Sequence, residues 1–208
     1  MKKQFFVKLL VLLILLLTTV LICISPLYPE EMFLQHIGTL LLLIILAIDV
    51  RKNFLWLSSF MGIAAFKLIH IIAARHVYSF VPYDQWSMSL LGFSINDYFG
   101  FERNQFDRFV HFAFGILIFP YTFQLFSKWK LSKPQIIFIV WVVIQGFSMF
   151  YELFEWTLTL VMTSEAAENY NGQQGDVWDA HKDMALAMLG SSIMCVVYAL
   201  KKNDKKEI

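Results

Sequence analysis

Cysteine is nearly missing from this chain: Cys23 and Cys195 are the only two among 208 residues. Two isolated thiols exclude a disulfide framework and a zinc site of the paired-cysteine type, and they read as small apolar packing residues. Charge is also scarce, since Asp, Glu, Lys and Arg together make up 16% of the residues against 58% hydrophobic. A soluble domain of this size needs far more polar surface, so the composition specifies an integral membrane protein. No dense basic patch is present to hold nucleic acid, because the lysines and arginines form short clusters beside apolar runs. No serine–histidine elbow or cysteine nucleophile appears, which disfavours covalent catalysis, and no internal repeat or second domain is visible.

Long apolar stretches are what the chain has. A membrane-spanning helix needs about 20 mostly apolar residues. Six stretches are predicted to span, at residues 5–24, 33–48, 54–74, 109–126, 136–162 and 184–200. The expected fold is therefore all-α, a polytopic bundle of six transmembrane helices forming one domain over residues 1–208. The first stretch follows Lys2, Lys3 and Lys8 but lacks a small-x-small cleavage site, so it reads as a retained helix and not a leader. Lys2, Lys3 and Lys8, then Arg51 and Lys52, then Lys128, Lys130 and Lys133, then Lys201, Lys202, Lys205 and Lys206 all fall on one side of a six-helix threading. The opposite loops carry Glu30, Glu31, Asp84, Asp97, Glu165 and Glu168. The positive-inside rule then predicts both termini in the cytoplasm of a bacterial plasma-membrane protein. The long outer segment at 75–107 is aromatic, suits the headgroup level, and includes a short interfacial helix over Trp86–Phe93. In the second long segment Asn171-Gly172 and Gln174-Gly175 read as turns, and Glu165 and Glu168 as a solvated loop.

The acids and histidines collect at the outer ends of these helices. Residues three, four and seven apart share a helix face. Asp107, His111 and Gly115 form one line, as do Lys67, His70 and Ala74, and Asp176, Asp179, Asp183, Ala187 and Gly190. Gln145, Ser148, Glu152 and Glu155 make a polar stripe down the fifth helix. Small residues on such lines let helices approach closely in a bilayer. Ionisable groups there are costly unless paired, hydrated or metal-bound, so they mark a functional site by default. The predicted metal ligands are His70, Asp107, His111, Asp176, Asp179 and Asp183. Glu152 and Glu155 are the predicted catalytic residues, one or the other moving a proton. Mixed imidazole and carboxylate donors suit Zn, Mn or Fe better than Ca or Mg. Helix capping is the plainer reading of Asp107, Asp176 and Asp179, although it leaves Asp183, one turn further in, unexplained. His36 is read as interfacial without a polar companion on its helix, and His76 as a contact for anionic headgroups.

Three segments carry a family resemblance. They are His70 to Pro82, with Arg75 and Tyr78; Phe106-Asp107-Arg108 with His111; and Tyr151-Glu152 with Glu155-Trp156, followed by Gly175-Asp176, Trp178-Asp179 and Asp183-Met184. They resemble the YjdF-type family of bacterial inner-membrane proteins. The resemblance implies that Asp107, His111, Glu152, Glu155, Asp176, Asp179 and Asp183 are signature positions, and it supplies no activity. The chain departs from the pattern at Ala180-His181-Lys182, where Thr-Gln-Trp is typical, so His181 is not carried over as a ligand. Three readings follow. One is a metal-assisted or acid/base enzyme acting on a lipid or lipid-linked headgroup. The second is a structural or assembly partner whose polar cluster locks the helices, and the third a proton- or ion-coupled transporter. Membrane lipids are the partners all three imply.

Overall fold

In the computed structural model the chain is described over residues 2–24, 26–163, 167 and 171–201, with the side chains of residues 2, 30, 31, 33, 34 and 37 outside that description. Glu165 and Glu168, Lys202, Lys205 and Lys206, and the side chains of Glu30 and Glu31 therefore lie outside the described residues. The elements are α1 (Lys2–Cys23), α2 (Pro29–Lys52), α3 (Leu57–Arg75), α4 (Tyr83–Leu91), α5 (Ile95–Phe99), α6 (Phe106–Leu117), α7 (Phe119–Phe126), α8 (Lys133–Val161) and α9 (Asp179–Leu200). The protein is all-helical among the described residues. Five segments are long and apolar enough to cross a membrane: α1, α3, α6 with α7, α8 and α9. The second predicted span corresponds to α2, a 24-residue helix about 36 Å long at 1.5 Å per residue.

Several helices run past the predicted limits for local reasons. α2 starts at Pro29, whose fixed φ and missing N–H suit the first helical turn. It continues through Asp49, which the sequence pattern had left outside the span. Asp49 is tolerated there because its Oδ2 accepts the Lys8 ammonium at 2.7 Å and its Oδ1 accepts the Leu55 amide at 2.6 Å. Lys8 also donates to Asn53 Oδ1 and to the Leu55 carbonyl, each at 2.8 Å, so all three of its protons are used. This pair ties the start of α1 to the α2–α3 connection. α8 begins at Lys133, stabilised by a reciprocal capping box between Ser132 and Gln135. The fourth predicted span is interrupted at Ile118, where α6 ends and α7 begins. Pro120 cannot donate the i→i−4 bond, and its ring opposes a straight continuation. The outer segment contains two short helices, α4 and α5, instead of one over 86–93. Ser94 caps α5 by accepting from the Asp97 amide, and Asp84 accepts from both Ser94 and the Asn96 amide.

Beside a small core of Ala73, Tyr78 and Val110 that joins the end of α3 to α6, two larger apolar cores lie among the described residues. One joins α1, α2 and α3 through Leu12, Leu15, Leu46, Phe60 and Ile63. The other joins α7, α8 and α9 through Phe119, Phe123, Val140, Ile144 and Tyr198. α3 connects them at the α6–α7 break, where a Cβ on Gly62 would lie 2.2 Å from the Leu117 carbonyl oxygen. Ser59 donates to the Pro120 carbonyl at 3.1 Å in the same place. The outward faces carry exposed Leu10, Leu17, Leu40, Phe138, Phe150 and Val196, the apolar surface that acyl chains cover.

α6 and α9 run parallel and nearly touch. A Cβ on Gly115 would lie 2.3 Å from the Ala187 carbonyl oxygen, and one on Gly190 would lie 2.4 Å from that of Phe112. Gly146 on α8, by contrast, has nothing within 4 Å of its would-be Cβ. Gly115→Ala should therefore cost about 1–3 kcal/mol through forced separation of the two helices. Gly146→Ala should be neutral or stabilising by about 0.5–1 kcal/mol. Thermal unfolding of both variants in detergent checks this; equal midpoints would contradict the close approach.

Candidate functional site

The close packing of α6 on α9 brings their N-terminal turns together at the end of the bundle where α3 finishes. Asp107 and His111 sit one turn apart on α6, and Asp183 projects from α9 against them. One ligating atom from each of these three residues lies within 4.8 Å of the others. α8 runs in the opposite direction and adds Glu152 and Glu155 near its C-terminal end. His111 Nε2 is 3.5 Å from Glu152 Oε1 and 3.7 Å from Asp107 Oδ1. These separations are long for direct hydrogen bonds. They approach the ~3.3 Å donor–donor edge expected around a tetrahedral ion with ~2.0–2.1 Å bonds.

All five side chains are buried, from Asp183 at 2% exposure to Glu155 at 9%. Glu155 lies within electrostatic reach of Asp107, Glu152 and Asp183. Among the described residues no lysine or arginine nitrogen comes within 4.0 Å of Asp107, Glu152, Glu155 or Asp183. Glu152 Oε1 and Asp183 Oδ1 have no hydrogen-bond partner among those residues. Four buried carboxyl groups with two idle oxygens require protons, ordered water or a cation.

The arginines are used elsewhere, on two of the predicted ligands, Asp179 and Asp176. Arg103 Nη1 donates to Asp179 Oδ1 at 2.5 Å, and Arg108 Nη2 donates to Asp176 Oδ2. Lys182 Nζ reaches the same Asp176 oxygen at 2.6 Å. Arg103 also donates to the Gly172 and Gln173 carbonyls, at 3.0 and 2.8 Å. Asn104 and Gln174 exchange hydrogen bonds across the same junction. Asp176 and Asp179 thus anchor a clamp that holds the 171–176 turn over the pocket: Asp179 Oδ1 and Asp176 Oδ2 meet arginine, and Asp176 Oδ1 accepts the Trp178 amide. Gly172 and Gly175 adopt positive φ in that turn, at 66° and 79°. The carboxyl of Asp176 is held at about 2, chiefly by the Lys182 hydrogen bond and the Trp178 amide.

His70 is not brought together with the acids. It lies across a cavity from the acids, with Nε2 3.2 Å from the Gln35 carbonyl oxygen and Nδ1 bonded to the Tyr78 hydroxyl. His36 of α2 meets His70 of α3, with ring centroids 6.4 Å apart. His76 packs edge-on against Trp86, and exposed His181 packs against Trp178, outside the pocket. The polar stripe on α8 does not form a continuous path. Gln145 donates to Ser191 Oγ at 2.9 Å and Trp141 to Ser192 Oγ at 3.0 Å, both contacts holding α8 to α9.

The cavity between the acids and His70 has a volume of about 490 Å³. Leu42, Phe66, Val110, Phe114, Phe147 and Phe154 supply its apolar wall, and His111, Ser148 and Tyr151 its margin toward the acids. Sequence reasoning missed Gln35 and Thr39 on the far side. Their signal was available, because each is a polar residue inside an apolar run of α2.

An all-helical chain with several spanning helices and a polar pocket at one end of its bundle is an integral membrane protein. Over residues 7–204 it matches the family model described as predicted membrane protein, DUF2238, and it belongs to that family. The inner membrane protein YjdF of Escherichia coli strain K12 is 29% identical over 126 residues, 60% of this chain and 56% of that relative. The chain thus aligns with little more than half the length of that relative. No solved structure matches it. The bacterial cytoplasmic membrane is accordingly its location.

The clamp gives a pH test. Asp176 has a folded-state value below its unfolded one, so its stabilising contribution is present above the ordinary carboxylate range. That contribution fades as pH falls from about 4 toward about 2. Asp176→Asn should lower the unfolding midpoint at pH 7, and its deficit relative to wild type should shrink on acidification. A deficit that grows toward pH 3 would contradict the assignment.

Proposed function

We propose that this protein is a metal-dependent membrane enzyme that hydrolyses or transfers the headgroup of a lipid or lipid-linked substrate. One observation carries the reading: Asp107, His111 and Asp183 offer ligand atoms within 4.8 Å of one another beside an apolar cavity that shares His111 as a wall. In this reading those three residues hold a divalent transition ion, Zn, Mn or Fe, to which an imidazole with carboxylates is suited. The bound ion would supply Lewis acidity toward a substrate oxygen and a lower pKa for water. The idle Oε1 of Glu152 faces His111 at 3.5 Å. Glu152 takes the proton of the attacking water and returns it to the departing oxygen, so the step balances without a further reactant. Glu155 acts as a positioning residue behind it. The Arg103–Asp179 and Arg108–Asp176 pairs hold the 171–176 turn as a cover that limits water.

The positive-inside pattern puts this pocket on the extracytoplasmic side, with both termini in the cytoplasm and α2 as a sixth span. An enzyme is favoured over a transporter because Gln145 and Trp141 are engaged in joining α8 to α9. It is favoured over a purely structural cluster because Glu152 and Asp183 each keep an unused buried oxygen. A helix lock gains from saturated pairs, as at Lys8 and Asp49.

Gently extracted protein should contain about one transition-metal ion per chain by elemental mass spectrometry, consistent with one three-ligand site. His111→Ala and Asp183→Ala should lose it while eluting as folded protein. Glu152→Gln should keep the metal and slow conversion of a membrane-lipid extract, followed by mass spectrometry, by about 10²–10⁴-fold. Folded, metal-free wild type that still converts lipid would refute the proposal.

A further inference from the structure

The pole of the cavity opposite the acids has its own unanswered chemistry. Lys67 stands near the middle of α3 and is 2% exposed. Its ammonium carries three protons, and its one hydrogen bond among the described residues is to Thr39 Oγ1 at 2.7 Å. No described carboxylate lies within 4.0 Å of it. Gln35, 6% exposed, lines the same pole with both its side-chain oxygen and nitrogen unpartnered. His70 and Tyr78 close the pole, bonded to each other across the turn in which Val77 and Tyr78 take positive φ. A β-branched residue at φ 48° is uncommon and costs energy, so the turn that delivers the Tyr78 ring is held against its preference.

Contrast this lysine with Lys8, whose three protons all meet acceptors and whose charge meets Asp49. Lys67 has the same burial and no counter-charge. When protonated it is a buried cation without an acid partner, and an anion that arrives with the ligand matches it most directly.

The route for such a ligand is also visible. Gly38 of α2 lines the cavity and has open space where a side chain would project. Phe147 and Phe154 line it from α8 and are 65% and 44% exposed on the outer face of the bundle. The mouth thus lies between α2 and α8 and faces lipid, not water. A volume of about 490 Å³ is ordinary for a small-ligand site and suits one hydrocarbon chain better than two.

We propose that this cavity binds a single-chain anionic amphiphile from the bilayer, with its carboxylate or phosphate on Lys67 and Gln35 and its chain against Phe66, Phe114 and Phe147. This headgroup end lies across the cavity from Asp107, His111 and Asp183, so the proposal goes beyond the enzymatic reading. The binding itself does not depend on a metal, so it is measured on chelator-treated protein.

The test uses delipidated full-length protein in a non-ionic detergent and displacement of a fluorescent long-chain fatty acid. Palmitate and hexadecyl phosphate should both displace it; whichever is tighter identifies the headgroup. Hexadecanol should bind at least about thirtyfold more weakly, the loss expected when a buried charge keeps no partner. Inorganic phosphate should not compete. Lys67→Met should weaken palmitate by about the same factor and leave hexadecanol within about twofold. Equal binding of hexadecanol and palmitate by wild type overturns the proposal, even if Lys67→Met fails to fold. So does unchanged palmitate affinity in folded Lys67→Met, or competition by inorganic phosphate at palmitate's concentration. Loss of metal in Asp183→Ala with palmitate binding intact would separate this site from the metal reading.

Discussion

The near-contact of α6 with α9 is the constraint on which the pocket depends. Gly115 and Gly190 bring backbone to backbone along parallel helices, and every residue N-terminal to them inherits that spacing. In a bilayer, where lipid tails are as apolar as leucine, such packing and the polar contacts it permits supply the association. Asp107 and His111 face Asp183 only because no side chain intervenes one or two turns below. A wider crossing would give each acid its own path to the headgroup layer and dissolve the cluster.

Around that contact the protein treats its buried charges in two opposite ways. At one end Lys8 and Asp49 are saturated, each hydrogen-bonding atom matched. In the turn over the pocket Arg103 and Arg108 are paired with Asp179 and Asp176, although Arg108 Nε keeps no partner among the described residues. Glu152 Oε1 and Asp183 Oδ1 have no hydrogen-bond partner, and Lys67 has no carboxylate within 4.0 Å, among the described residues. Selective saturation argues that the idle groups are kept for something that binds, since the same fold shows repeatedly how it quiets a charge.

Much of this was legible in the sequence. Apolar run lengths located the long helices, and i, i+4 spacing put Asp107 with His111 and Glu152 near the end of its span. The break at Ile118 was legible too, from Pro120, but a continuous apolar window hid it. Charged ends hid the true extent of α2, because a window that penalises Asp49 has no knowledge that Lys8 lies 41 residues away. The same blindness merged two kinds of acid. Asp176, Asp179 and Asp183 share a helical face, yet only the contacts of Arg103 and Arg108, about 70 residues earlier, separate clamp from pocket. His70 illustrates the reverse case: a residue at the expected depth, on the expected helix, whose face points to Gln35 and Tyr78 instead.

The division into two cores has a mechanical corollary. The α1–α3 unit and the α6–α9 unit meet through α3, at the α6–α7 break and again where Ala73 and Tyr78 pack on Val110 of α6. A void at a seam between two finished parts can admit a guest by a slight parting of the parts, with neither interior repacked.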